Sequence, residues 1–173
     1  MVLYLWAFTV PALALVPLVL AEARTVEPVA VFDFELIDTS LEGEMNGPRA
    51  DEQRRIADIS RQLRGALAAD GGLRVVDLGS VQARAHAVHL QECGGCDGDL
   101  AAAAGARLSI TGTVQKVSNL ILNMSIYVRD VASGRVLAAM NADMRGNTNE
   151  SWSRTLDWLV RNRLRPALDR VHE

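Results

Sequence analysis

Four side chains able to hold a metal ion or exchange a disulfide fall within eleven residues: His86, His89, Cys93 and Cys96. Cys93 and Cys96 are the only cysteines in the 173-residue chain. In an oxidising compartment they are expected to form a disulfide with each other. Gly94 and Gly95 give so tight a loop the backbone freedom it needs. The loop is short, so its closure contributes little entropic stability. Thiol–disulfide catalysis would need a thiolate at a helix N-terminus. Here Cys96 rather than Cys93 falls at that end, and no strand leads directly into the motif. The alternative chemistry is a metal site. His86 and His89 are three apart and share a helical face. Two imidazoles and two thiolates suit tetrahedral zinc or copper(I). Finger-type sites separate their pairs by a longer spacer, so four-fold closure here needs the helix to end abruptly after His89. A c-type haem is excluded, because Asp97 rather than His follows Cys96. No resident cofactor is expected, with zinc or copper kept for the alternative.

A second group of polar residues is separated in sequence but joined by topology. Lys116, Ser118 and Asn119 lie in the turn after one strand. Arg145, Asn147 and Thr148 follow another strand two places on. In an antiparallel meander these two points meet at one end of the sheet. Glu150 and Trp152 open the helix that follows. The eight residues form a candidate ligand- or partner-binding end, with donors and cations near a helix N-terminus suited to an anionic group. The same residues also suit plain turn and helix capping. Leu120, Ile121 and Leu122 run together beside the turn, and an exposed Ile121 there would mark a partner surface.

Asp33, Glu35 and Asp38 could suggest carboxylate catalysis, but no Ser, His or metal constellation accompanies them in the sequence. G-x-S-x-G, P-loop and H-E-x-x-H motifs are absent. No residue is assigned a catalytic role. Arg154, Arg161, Arg163, Arg165 and Arg170 read as a solvated face with favourable charge towards a helix C-terminus.

The elements that must position these residues follow from periodicity. Val29–Leu36 reads as one buried strand, with Ala30, Phe32, Phe34 and Leu36 on one face. Residues 41–50 carry Gly43, Gly47 and Pro48 and read as a loop. Residues 51–70 are helical, with a stripe of Ile56, Ile59, Leu63, Ala66 and Leu67. Leu73–Leu78 is a second strand. Residues 80–91 read as a helix capped by Ser80, and a short helix capped by Asp97 or Asp99 ends at Gly105. Strands follow over 108–114, 120–129 and 136–144. Asn147 with Glu150 resembles a capping box for a last helix striped by Trp152, Leu156, Leu159, Val160 and Leu164. Pro166 is expected to end or kink it. The order β-α-β-α-β-β-β-α predicts a two-layer α/β (α+β) sandwich. Its mixed sheet ends in an antiparallel meander, with helices mainly on one face.

Composition sets the compartment and class. Apolar residues make up 49%, charged residues 23%, and the net charge is −3. Disorder is excluded by that balance, and no basic excess exists to neutralise nucleic-acid phosphates. Val2–Leu20 is uncharged, and Ala21-Glu22-Ala23 fits a small-x-small cleavage rule. Residues 1–23 therefore read as a signal peptide, or, uncleaved, as an N-terminal membrane anchor. Residues 24–173 read as a single domain in the periplasm.

VAVFDFEL (29–36), LRVVDL (73–78) and LAAAAGARLSITGTV (100–114), followed by a meander, resemble the TolB N-terminal and CsgG-type periplasmic domain. Gly105, Ala106 and Gly112 stand where that group has its small packing residues. VQKVSNLILN (114–123) and RGNTNESW (145–152) resemble an uncharacterised family of proteobacterial exported proteins. The resemblance implies a non-catalytic binding module with an envelope or periplasmic protein partner. It also implies a setting alongside quinoprotein alcohol dehydrogenases. The chain lacks TolB's β-propeller and the membrane-inserting hairpins and lipidated cysteine of CsgG. The competing expectation is a periplasmic metal or thiol–disulfide accessory protein built on His86, His89, Cys93 and Cys96.

Overall fold

The computed structural model describes residues 26–171. The leader expected over residues 1–23 lies outside them. Strands β1 (Glu27–Val31) and β2 (Glu35–Asp38) lead into helices α1 (Leu41–Asn46) and α2 (Ala50–Ala68). Then come β3 (Leu73–Val75), α3 (Gln82–His86) and α4 (Cys96–Ala103). The meander is β4 (Leu108–Lys116), β5 (Leu122–Asp130) and β6 (Val136–Met144). Helix α5 (Asn149–Leu159), a π-helical turn (Val160–Leu164) and α6 (Arg165–Val171) complete the described residues. The sheet order is β3-β1-β4-β5-β6, with β2 beside β4. β1 runs parallel to β3 and β4, β2 runs parallel to β4, and the meander is antiparallel. This is the mixed sheet ending in an antiparallel meander, packed with helices as an α+β sandwich, that the element order predicts. Among the described residues no helix is long and apolar enough to cross a membrane.

The first strand is not continuous as the alternation suggested. Val31 pairs with Ile110 and Glu35 with Thr113, so Phe32, Asp33 and Phe34 face only Thr111 and Gly112. One extra residue makes a bulge and turns the following side chains over. Ala30 and Phe32 enter one cluster, while Phe34 joins Val29 and Val31 in the other. The Phe34 N–H leaves the ladder and donates to Ser60 Oγ at 2.9 Å. The Phe34 ring lies against the backbone of Gly112, where a Cβ would come within 2.4 Å of it.

The larger cluster lies between the sheet and the α2, α5 and α6 helices. It takes Leu122, Met124, Ile126 and Val128 from β5, the apolar half of that strand's alternation. The smaller cluster lies on the opposite face, where α3 and α4 cover Ala30 and Phe32.

Several local expectations are corrected. Residues 41–46 form α1 rather than a loop, because Ser40 Oγ accepts from the Gly43 N–H at 3.1 Å and caps it. The helix read over 80–91 shrinks to α3, with buried Val81 rather than Ser80 at its N-cap position. Gly95 stands at the N-cap position of α4 in a left-handed conformation. Asp97 turns inwards instead, accepting from Ser109 Oγ at 2.7 Å and pairing with Arg129 at 3.0 Å. The cap of α5 is Thr148, which accepts from the Ser151 N–H at 3.1 Å, and not Asn147. The chain passes Pro166 by the π-helical turn, after which α6 begins at Arg165. A proline early in a helix gives up no needed donor.

Candidate functional site

Lys116 closes β4 on the core-facing side, opposite Leu122. Its side chain is fully buried, so it is not the surface cation its type suggested. Nζ lies 2.8 Å from Glu52 Oε1, 3.1 Å from Asp38 Oδ2 and 3.3 Å from Glu42 Oε2. A cation so enclosed has no room for an external anion. Burial pushes the ammonium down, but the hydrogen bonds it donates to Glu52, Asp38 and Glu42 outweigh that and hold Lys116 above the usual lysine range. Burial raises Asp38 in turn. The Ser40 and Lys116 hydrogen bonds outweigh that and hold it below the usual carboxylate range. Gly43 makes the approach possible: a Cβ there would sit 2.5 Å from the Asp38 carboxylate.

Asn147 links this network to the last helix. Its amide donates to Glu52 Oε1 at 2.6 Å and to Asn119 Oδ1 at 3.1 Å. Its carbonyl accepts from Trp152 Nε1 at 3.0 Å and from Arg55 at 3.2 Å. Trp152 is fully buried in the larger cluster. Glu52 Oε2 is also buried, without a hydrogen-bond partner among the described residues.

The structure thus brings Lys116, Asn119, Asn147 and Trp152 together and adds Asp38, Glu42, Glu52 and Arg55. Ser118 is a turn residue, whose Oγ accepts from the Leu120 and Ile121 N–H groups at 3.2 Å. Thr148 caps α5. Glu150 pairs with Arg154 at 2.9 Å on the surface, and Arg145 is exposed outside the network.

The network ties α1 to the β4–β5 turn, because Asn119 Nδ2 donates to Glu42 Oε2 at 2.8 Å. Those two elements expose large apolar side chains. Leu41 and Met45, four apart on α1, are 70% and 76% exposed. Val117, Leu120 and Ile121 are exposed on the turn. α1 buries none of its own residues. A rigid polar interior therefore carries an apolar exterior at this end of the sheet.

A different groove, of about 650 Å³, opens at the bulge between α2 and α3. Asp33 sits in it, accepting from Arg64 at 2.8 Å and Gln82 at 2.9 Å, and lies 2.9 Å from His86 Nε2. Burial raises Asp33, but the His86 and Arg64 hydrogen bonds outweigh it and hold it low. His89 lies 3.6 Å from Glu35. Each histidine is thus drawn to its own carboxylate, which the sequence spacing did not suggest. Cys93 and Cys96 are joined as a disulfide. Among the described residues no group of three or more His, Cys, Asp and Glu side chains is placed to hold a metal ion.

A family model for DUF3280, described as a protein of unknown function (DUF2380), matches residues 27–164. No curated protein is significantly similar to the chain. Among solved structures it is similar to a putative neuraminyllactose-binding hemagglutinin homologue from Helicobacter pylori. The identity there is 8% and the TM-score 0.52, over 87% of this chain and 90% of that one. It is also similar to the LpoB C-terminal domain from Salmonella enterica, at 14% identity and TM-score 0.49, over 72% and 87% of the two chains. TolB from Acinetobacter baumannii matches at 10% identity and TM-score 0.46, over 83% of this chain and 28% of that one. What the Helicobacter likeness shows is a shared fold.

Proposed function

Because the chain belongs to the DUF3280 family, whose function is unknown, we propose its role from its own surface: a non-catalytic accessory module of a cell-envelope or periplasmic system. It docks a protein partner through the sheet end built by α1 and the β4–β5 turn. One observation carries this reading. Leu41, Met45, Val117, Leu120 and Ile121 are exposed on two elements locked together by the buried Lys116 network. Apolar side chains held rigidly at the surface lose little freedom on binding, which favours a protein contact.

Export is supported by the uncharged run Val2–Leu20 with its Ala21-Glu22-Ala23 cleavage pattern. The Cys93–Cys96 disulfide supports it independently, since such bonds persist outside the reducing cytoplasm. A quinoprotein dehydrogenase system is the setting proposed for it.

The test is site-specific photo-crosslinking of the full chain in its native cell, with a photoreactive residue replacing Leu120. The expected result is one discrete periplasmic adduct, lost when Leu41→Asp and Ile121→Asp are combined in a chain that still folds. An adduct indifferent to those changes, or a chain recovered in the cytosol, overturns the reading.

A further inference from the structure

Among the described residues β6 ends the sheet: it pairs with β5 on one side and with no strand on the other. Natural sheets guard such edges with proline, lysine, short strands or bulges that turn the edge away. β6 runs for nine residues, VLAAMNADM, with no proline, no cation and a single charge at Asp143. Its one irregularity lies at its start, opposite Val128 and Arg129.

The hydrogen-bond phase of the edge follows from the meander. Val131 N–H donates to Arg107 C=O, and Val117 N–H to Ile121 C=O. Alternation then directs the odd-numbered residues of β5 to β4 and the even-numbered ones to β6. Those even-numbered residues stand opposite Ala138, Met140, Ala142 and Met144. The backbone N–H and C=O of Ala139, Asn141 and Asp143 consequently point outwards, ready to pair.

On the helix-covered face a groove of about 520 Å³ runs beside this edge, between β6 and the π-helical turn and α6. Arg163 and Arg170 line it, both exposed and neither ion-paired among the described residues. Arg163 rests on the Trp158 ring, 5.7 Å from its centroid. Asp143 projects to the other face, where it accepts from Asn123 at 2.9 Å. The groove face of the edge is therefore cationic.

We propose that β6 is a strand-addition edge for an extended segment of a partner protein in which alternate residues are Asp or Glu. The outward backbone groups supply the ladder, and Arg163 and Arg170 select carboxylates on every second residue of the incoming strand. A second copy of this chain fits less well. Antiparallel pairing of two β6 edges places both helix layers on one face and sets the Arg163 and Arg170 of each copy towards those of the other. This surface is separate from the α1 end and does not depend on it.

The test uses the full chain and a synthetic peptide matching the nine-residue length of β6, alternating Glu with Val. A second peptide carries Lys in place of Glu. The Glu peptide is expected to bind about tenfold tighter or more. N-methylation of its alternate amides must abolish binding to the unaltered chain, a readout that needs no variant to fold. Asn141→Pro removes an outward donor while leaving the β5 pairs intact, so it must lose binding but keep the thermal melt. Arg163→Glu with Arg170→Glu must reverse the preference to the Lys peptide. Equal binding of the two peptides, or binding indifferent to N-methylation, overturns the proposal. So does a concentration-dependent dimer dissolved by Asn141→Pro, which would assign the edge to a second copy.

Discussion

Lys116 Nζ and Glu52 Oε1 lie 2.8 Å apart, and neither side chain reaches solvent. The pair joins the last residue of β4 to the first turn of α2. Buried ion pairs add little net stability compared with apolar residues of the same size, but losing one partner is costly. At this position the pair fixes where α2 and α1 sit over the sheet end, and so where Leu41 and Met45 are displayed.

Lys116→Met should lower the unfolding free energy by about 3–5 kcal/mol, because buried Glu52 loses its 2.8 Å partner and keeps only Arg49, 4.0 Å away. Lys116→Met combined with Glu52→Gln should lose clearly less than the single variant, since the stranded charge is gone while Asn147 keeps an acceptor. Urea denaturation of the two variants checks this. A single variant within about 0.5 kcal/mol of the parent would show that the pair is not sequestered.

The same network sets a pH profile. Asp38 is held below its ordinary value of 3.8, so its contribution is complete above that pH and is lost as pH falls through the lower folded value. Lys116 is held above 10.5, so its contribution is complete below that pH and is lost as pH rises through the higher folded value. For these two groups the melting temperature should be flat near neutrality, with an acid limb and an alkaline limb. Asp38→Asn should shrink the acid limb, and Lys116→Met the alkaline one. Limbs unchanged in both variants would assign the profile to other groups.

Gly112→Ala should destabilise the chain by about 1–3 kcal/mol through overpacking. The new methyl would meet the Phe34 ring at 2.4 Å, with the Phe34 backbone held by Ser60. Adding Phe34→Leu to Gly112→Ala should recover part of the loss, measured by thermal melting. A pair of variants whose effects simply add would show that the two sites do not touch.

The parts of the fold that were legible in the sequence are those where burial repeats along an element. Leu122, Met124, Ile126 and Val128 alternate, and Ile56, Ile59 and Leu63 form a stripe on α2. α1 was hidden because none of its residues is buried and its only strong helix signal is the Ser40 cap. At the site, residue type misled where position did not. Lys116 shares the parity of Leu108, Ile110 and Val114, which marks it as inward-facing. Glu52 stands four residues before Ile56 on the same stripe, a signal of burial that its charge obscured. Asn119 and Asn147 meet because the meander brings their turns to one end, which topology foretold. The attraction of His86 to Asp33 depends on where α3 packs, and no local pattern encodes that.

The bulge at Phe32–Phe34 also decides how much the chain can vary in length. Because β1 and β2 both lie against β4, side-chain facing in this segment behaves like a reading frame. Deleting one residue between Val31 and Glu35 would send Phe34 into the wrong core or break the pairing of β2, and adding one would do equal damage. An insertion at Ser133–Gly134, in the exposed β5–β6 turn, carries no such frame and should be absorbed. Length changes among relatives of this chain should therefore gather at that turn and avoid the bulge.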